Sequence, residues 1–187
     1  NMGDLIKSAK AEPGKISYGS WGVGSPGHLG GEWLDYLTGS QMTHVPYREV
    51  SQLFTSVANG DPSWSFASLP SSQGIYKSGK IRYLAVAAPK RIAQMPDVPT
   101  VAEAGGPAEL DVNSFVSLLS PKGVDAAVRD KIRSDVVAVL QDPQVKEKFS
   151  TFAFQPMSFT VPEMQQFAKK KSEQYKLLIE KAQISLD

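Results

Sequence analysis

Residues 18–34 read YGSWGVGSPGHLGGEWL, and the fold turns on what this glycine-rich stretch does. Within it, Gly22-Val-Gly24-Ser-Pro-Gly27 spells G-x-G-x-x-G, the dinucleotide-binding fingerprint. A dinucleotide site needs a strand before the turn and a helix after it. It also needs an acidic residue about 20 positions on, for the ribose hydroxyl. The strand (Ile16 to Ser20) and the helix (Pro26 to about Leu37) are expected, with Ser25 as N-cap and Pro26 at the first helical position. The acid is missing: the corresponding region reads Gln41-Met-Thr-His44-Val-Pro-Tyr47. Pro26 also stands inside the motif, where pyrophosphate binding wants backbone N–H groups. The nucleotide reading gives way to a more general one, in which a glycine turn ahead of a helix offers N–H donors and a positive dipole end to an anion. The plainer alternative, that the glycines only let strand and helix approach closely, stays open beside it.

Outward from this turn the pattern alternates strand and helix. Gly3 to Ala11 reads as a helix closed by Pro13-Gly14, Met42 to Tyr47 as a strand, and Arg48 to Ala58 as a helix with Val50, Leu53, Phe54 and Val57 on one face. Trp64 to Ala67 is an expected strand, Pro70 to Lys77 a helix, and Ile81 to Ala88 a buried strand. Thr100-Val-Ala-Glu103 is a capping box for one or two turns ending at Gly105-Gly106. Beyond Pro107, Val112 to Leu119 and Phe152 to Gln155 are expected strands among three helices, Asp125 to Gln141, Pro143 to Ser150 and Pro162 to Ala182. The class is α/β with a largely parallel sheet.

Composition narrows the function. The 187 residues are 41% apolar, and 20 Lys and Arg oppose 19 Asp and Glu, so no charge excess points to nucleic acid. No apolar run nears the ~20 residues of a spanning helix, and the chain opens on NMGDLIKSAKAEPGK, without a basic-then-apolar signal segment. A soluble protein is expected. The absence of cysteine excludes thiol catalysis, disulfides and Cys-based metal sites. With His28 and His44 as the two histidines, neither at ligand spacing from an acid, neither a metal nor a cofactor is expected.

The second strand-to-helix turn, Val45-Pro-Tyr47-Arg48, adds a phenol and a guanidinium to the same sheet edge. Two helix N-termini there suit a carboxylate. A catalytic reading is disfavoured: Ser25 lies three residues before His28, but no acid is evident to orient the ring. His28 is expected to pack at the helix start and donate to a backbone group, and His44 to be half-buried. Trp21, Trp33 and Trp64 read as core, with Trp21 able to face a ligand.

The stretches AKAEPGKISYGSWGVGSPGHLGGEWL, THVPYRE and SGKIRYLAVAAPKRIAQMPDVPTVAEAGGP, in this order and spacing, closely resemble the Bug family of extracytoplasmic solute receptors of tripartite tricarboxylate transporters. The C-terminal TVPEMQQFAKKKSEQYKLLIEKAQI resembles the family's closing helix. The resemblance implies a periplasmic binding protein-like II fold and no chemistry on the ligand, so not an enzyme. It implies a periplasmic location, a small organic anion held between two lobes, and membrane transporter subunits as partners. Residues 1–108 are then expected to be the complete second lobe and residues 109–187 the returning part of the first, whose opening half-lobe is not in this chain. Binding is carried by resemblance onto Ser20, Trp21, Gly22, Val23, Gly24 and Ser25, with His28 in support, and onto Tyr47, Arg48, Phe66, Ala67 and Ser68.

The sequence departs from the family pattern twice near that site. Glu49 stands where a glycine is usual after the Pro-Tyr-basic triplet, and Ala67 where an aspartate is common. These departures keep two other readings in view: a receptor-like interaction module without ligand, and a phosphate-handling enzyme built on the glycine turn. The apolar stripes of the helices at 125–141 and 162–182 are expected to lie exposed and to drive self-association.

Overall fold

The computed structural model describes residues 1–110, 112, 115–157, 159–182 and 184. Asn1 opens helix α1 (Met2–Ala11) in a reciprocal capping box with Asp4. Strand β1 (Ser17–Ser20) follows, then α2 (Pro26–Thr38), β2 (Thr43–Pro46), α3 (Val50–Ala58), β3 (Trp64–Ser65) and α4 (Leu69–Lys77). Helix α2 starts on Ser25, whose side chain accepts from the His28 amide, and stops at Gly39 in the left-handed conformation, φ 67°. The strands form a parallel sheet of order β2-β1-β3, with Tyr18 level with His44 on one side and Trp64 on the other. Each strand leads into a helix, so the N-termini of α2, α3 and α4 gather at the C-terminal edge of the sheet.

The core lies between this sheet and helices α1 and α2. Tyr18 and Leu34 are fully buried at its centre, with Met2, Ala9, Met42, Trp64, Val101 and Leu110 around them. Each large apolar side chain so buried contributes about 1.5–3 kcal/mol. Glycine lets α2 approach β1: a Cβ at Gly31 would run into the Tyr18 ring, and one at Gly30 into Phe66 and Val112.

Three expected strands do not form among the described residues. Ile81 to Ala88 contributes a single bridge, Val86 beside Thr100, because no neighbouring strand lines up along the rest of it. Residues 112 and 115–119 carry no strand either, and positions 111, 113 and 114 lie outside the described residues. Phe152 to Gln155 instead closes a helix, the Phe154 amide donating to the Phe149 carbonyl. An apolar run is not a strand unless another strand receives its N–H groups. The capping box at Thr100 and Glu103 does form, and it closes turns that end at Gly105-Gly106.

After residue 120 come α5 (Ala126–Gln141), α6 (Pro143–Thr151) and α7 (Val161–Ala182). Helices α5 and α6 pack on each other, and α5 buries no residue, leaving Val128, Ile132, Val136 and Val139 exposed as expected. Helix α7 departs from expectation: it packs across α2, with Leu178 buried at 3% exposure near Leu29 and Trp33.

Candidate functional site

The structure brings the three segments singled out in the sequence to one edge of the sheet. Ser20 to Ser25 follow β1, Tyr47 and Arg48 follow β2, and Phe66 to Ser68 follow β3. The Tyr47 amide donates to the Ser20 carbonyl at 2.8 Å, tying the first two segments together. Ser20 is fully buried, whereas Val23, Arg48, Ala67 and Ser68 are exposed. Trp21 folds back over the helix start, where a Cβ on Gly27 would lie 2.9 Å from its ring. The first turns of α2, α3 and α4 hold no acidic residue. The N-cap residues of α3 and α4, Glu49 and Ser68, make no side-chain capping bond. The dipoles of α2 and α4 thus end here without an internal counter-charge, while α3 has the exposed Glu49 at its N-cap position. Arg48 makes no ion pair among the described residues.

The glycine turn combines both readings of its sequence. Gly22 and Gly24 sit at φ 119° and 75°, a conformation that other residues rarely adopt, while Gly27, Gly30 and Gly31 provide close packing. Its donors are only partly free. The Gly24 amide donates to His28 Nδ1 at 3.0 Å, the Gly22 amide to Ser20 Oγ at 3.2 Å, and the Ser25 amide to the Gly22 carbonyl at 3.2 Å. Among the described residues, the amides of Trp21, Val23 and Gly27 donate no hydrogen bond within the protein. His28 therefore accepts from the backbone, where the sequence reading has it donating.

Behind the turn lies a polar cluster that the sequence reading misses. The His28 and His44 rings stack with centroids 3.8 Å apart. His44 Nε2 meets Ser20 Oγ at 2.6 Å, and Ser20 in turn reaches the Gly22 carbonyl at 2.9 Å. Glu32 stands 3.7 Å from His28 Nε2 and accepts the Tyr18 hydroxyl at 2.6 Å. Burial drives the Tyr18 phenol far up, with Glu32 adding to it, so Tyr18 remains a donor. Burial also pushes the Glu32 carboxyl up, but the neighbouring His28 ring and the bond from Tyr18 outweigh this and hold it below the ordinary carboxylate range. Burial first, then the neighbouring His28, pushes the His44 pKa down to about 4. Glu32 is thus an acid beside the His28 ring where the sequence reading finds none, and the spacing of four residues on one helical face is the signal that would have found it. Ser20 with His44 is a serine–histidine pair, but the buried hydroxyl cannot reach a substrate in this arrangement.

Residues 1–184 match the family described as "Tripartite tricarboxylate transporter family receptor". A Cupriavidus necator protein, "UPF0065 protein in gbd 5′ region", is 32% identical over 180 residues, covering 96% of this chain and 54% of the relative. A solved "periplasmic transporter" is 35% identical with a TM-score of 0.76, covering 98% of this chain and 61% of its own. Rpa4515 of R. palustris, solved with adipate, superposes with a TM-score of 0.83 at 28% identity, covering 97% of this chain and 60% of that one. The chain thus spans about half the length of the curated relative it matches.

Proposed function

This chain belongs to the tripartite tricarboxylate transporter receptor family, and we propose that it takes up a small organic anion, most simply a dicarboxylate, at the C-terminal edge of its sheet. Family members are periplasmic solute-binding receptors, and this reading adds delivery of the captured anion to a membrane transporter. No chemistry is done on the ligand. In this reading residues 1–108 form one lobe, and residues 109–187 are the part of the other lobe that returns to it across α2. The observation that supports it most is the gathering of three helix N-termini, without acids in their first turns, at one sheet edge beside Arg48. The adipate held by the similar Rpa4515 is the kind of ligand such an edge suits.

One ligand carboxylate would take the amides of Trp21, Val23 and Gly27, which have no internal acceptor, and Arg48 would take the other. Tyr47, Phe66, Ala67 and Ser68 would line the approach. Titration calorimetry of the full chain against adipate, malate and a monocarboxylate control tests this. Saturable binding of a dicarboxylate is expected; heat-silent mixtures across the panel would favour the ligand-free module, the reading that Glu49 beside the pocket also favours. The exposed stripe of α5, with Val116, Leu118 and Leu119 nearby in sequence, is proposed as a packing surface that a second copy covers in solution.

A further inference from the structure

The hydrogen bond between the Gly24 amide and His28 Nδ1 has a chemical condition attached. An imidazole nitrogen accepts only when it carries no proton. The contact at 3.0 Å therefore assigns His28 the neutral form with its hydrogen on Nε2, the nitrogen that faces Glu32 at 3.7 Å. Among the described residues, no other hydrogen bond takes the Gly24 amide. Gly24 is also at φ 75°, two residues after Gly22 at φ 119°.

We propose that His28 is a positioning residue that makes the anion-binding turn respond to acid: its neutral ring fixes Gly24, and a proton taken up at Nδ1 releases residues 22–25. Protonated histidine has N–H groups on both sides, so the Gly24 amide then faces another donor and the bond is lost. The proposal rests on the reading that this turn holds the anion, but its first half concerns the turn alone.

The groups around the two rings set what a charge on His28 would meet. Stacked rings 3.8 Å apart do not both charge readily. His44, from β2, is held by Ser20 at 2.6 Å and resists protonation because of its burial and its neighbour. Glu32, one turn along α2, is ionised and stands beside His28 Nε2, so a cation there gains a partner. From β1 the pair is faced by Tyr18, a donor to Glu32, and Asp35 lies a further turn along α2, held by Ser40 and the Met42 amide. From α7, across α2, come the half-buried Tyr175 and the buried Lys171. The result is a ring whose charge is accommodated on one side while its acceptor role is cancelled on the other.

Nitrogen and amide NMR on the full chain, without ligand, tests the device directly. At neutral pH, His28 should show the neutral ring protonated at Nε2. Between the pH at which the ring nitrogens report a neutral His28 and the pH at which they report a protonated one, the Gly24 amide should lose its exchange protection by about tenfold or more beyond the intrinsic pH effect, as a local opening does. His28→Asn places a non-titrating acceptor at the same branch of the side chain and should keep Gly24 protected throughout. His28→Leu should leave it unprotected at every pH. A ring protonated at Nδ1 at neutral pH, or a Gly24 amide equally protected at both ends of the titration, would overturn the proposal. Adipate titrations of the wild type and His28→Asn at both pH values give the second half, with changes in adipate's own charge cancelling between the proteins. The wild type should weaken about tenfold more than the variant, a difference of about 1.4 kcal/mol; equal weakening would overturn the link to binding. Failure of both proteins to bind adipate at either pH, with Gly24 still acid-responsive, would instead count against the functional reading.

Discussion

The imidazoles of His28 and His44 stack face to face, with centroids 3.8 Å apart and planes 12° from parallel. One ring comes from the first turn of α2 and the other from β2, so the pair joins the two segments that carry the glycine turn and Tyr47-Arg48.

Acid should destabilise the fold through His44. Its pKa is pushed from 6.5 down to about 4, first by burial and then by His28. Between these values the unfolded chain binds a proton that the folded one refuses, so this contribution is complete above about pH 6.5 and is lost as pH falls toward 4. The melting temperature should drop across that window, and drop less steeply in His44→Asn. Identical slopes in the two proteins would remove His44 as the cause.

Close packing of α2 on β1 is tested at Gly31. An alanine there places its Cβ against the buried Tyr18 ring, and overpacking of this kind costs about 1–3 kcal/mol. Denaturant unfolding should show a loss in that range. An unchanged midpoint would mean the helix can retreat without penalty.

Arg48 and Glu49 are neighbours with opposite expected effects. Both are exposed in the structure, and Arg48 is free to meet a carboxylate. Arg48→Ala should weaken dicarboxylate binding by about 1.5–3 kcal/mol, the range of a hydrogen bond to a charged group. Glu49→Gln should strengthen it by removing a like charge. If neither change moves the affinity, the ligand does not extend toward α3.

Self-association is expected from the exposed Val128, Ile132, Val136 and Val139 of α5. Light scattering of the purified chain should report a dimer at high concentration, and Ile132→Glu should shift it toward monomer. A wild-type monomer at all concentrations would show that the stripe is tolerated in water.

Much of this arrangement was legible in the residues. Ser25-Pro26 marked the start of α2, and the spacing of Val50, Leu53, Phe54 and Val57 marked α3, because capping and helical period are local properties. The turns at 20–25 and 47–48 followed from the strand-to-helix alternation, and 66–68 from the resemblance to the receptor family. What was not legible depends on partners distant in sequence. Ile81 to Ala88 has the residues of a strand but only Thr100 beside it. The role of His28 as an acceptor depends on the positive φ of Gly24, and the burial of Leu178 on α7 meeting α2. The bond from His44 to Ser20 spans 24 residues and follows only once β1 and β2 are in register.

The central claim is that the turn at residues 20–25 holds the carboxylate by its backbone, and Gly24→Val tests it most directly. Valine cannot readily adopt φ 75°, so the turn must change while the sheet beneath it stays intact. Calorimetric titration with adipate, alongside circular dichroism of both proteins, should show saturable binding by the wild type and none by a folded Gly24→Val chain. Equal affinities in the two proteins would contradict the account and leave the glycine turn a packing device alone.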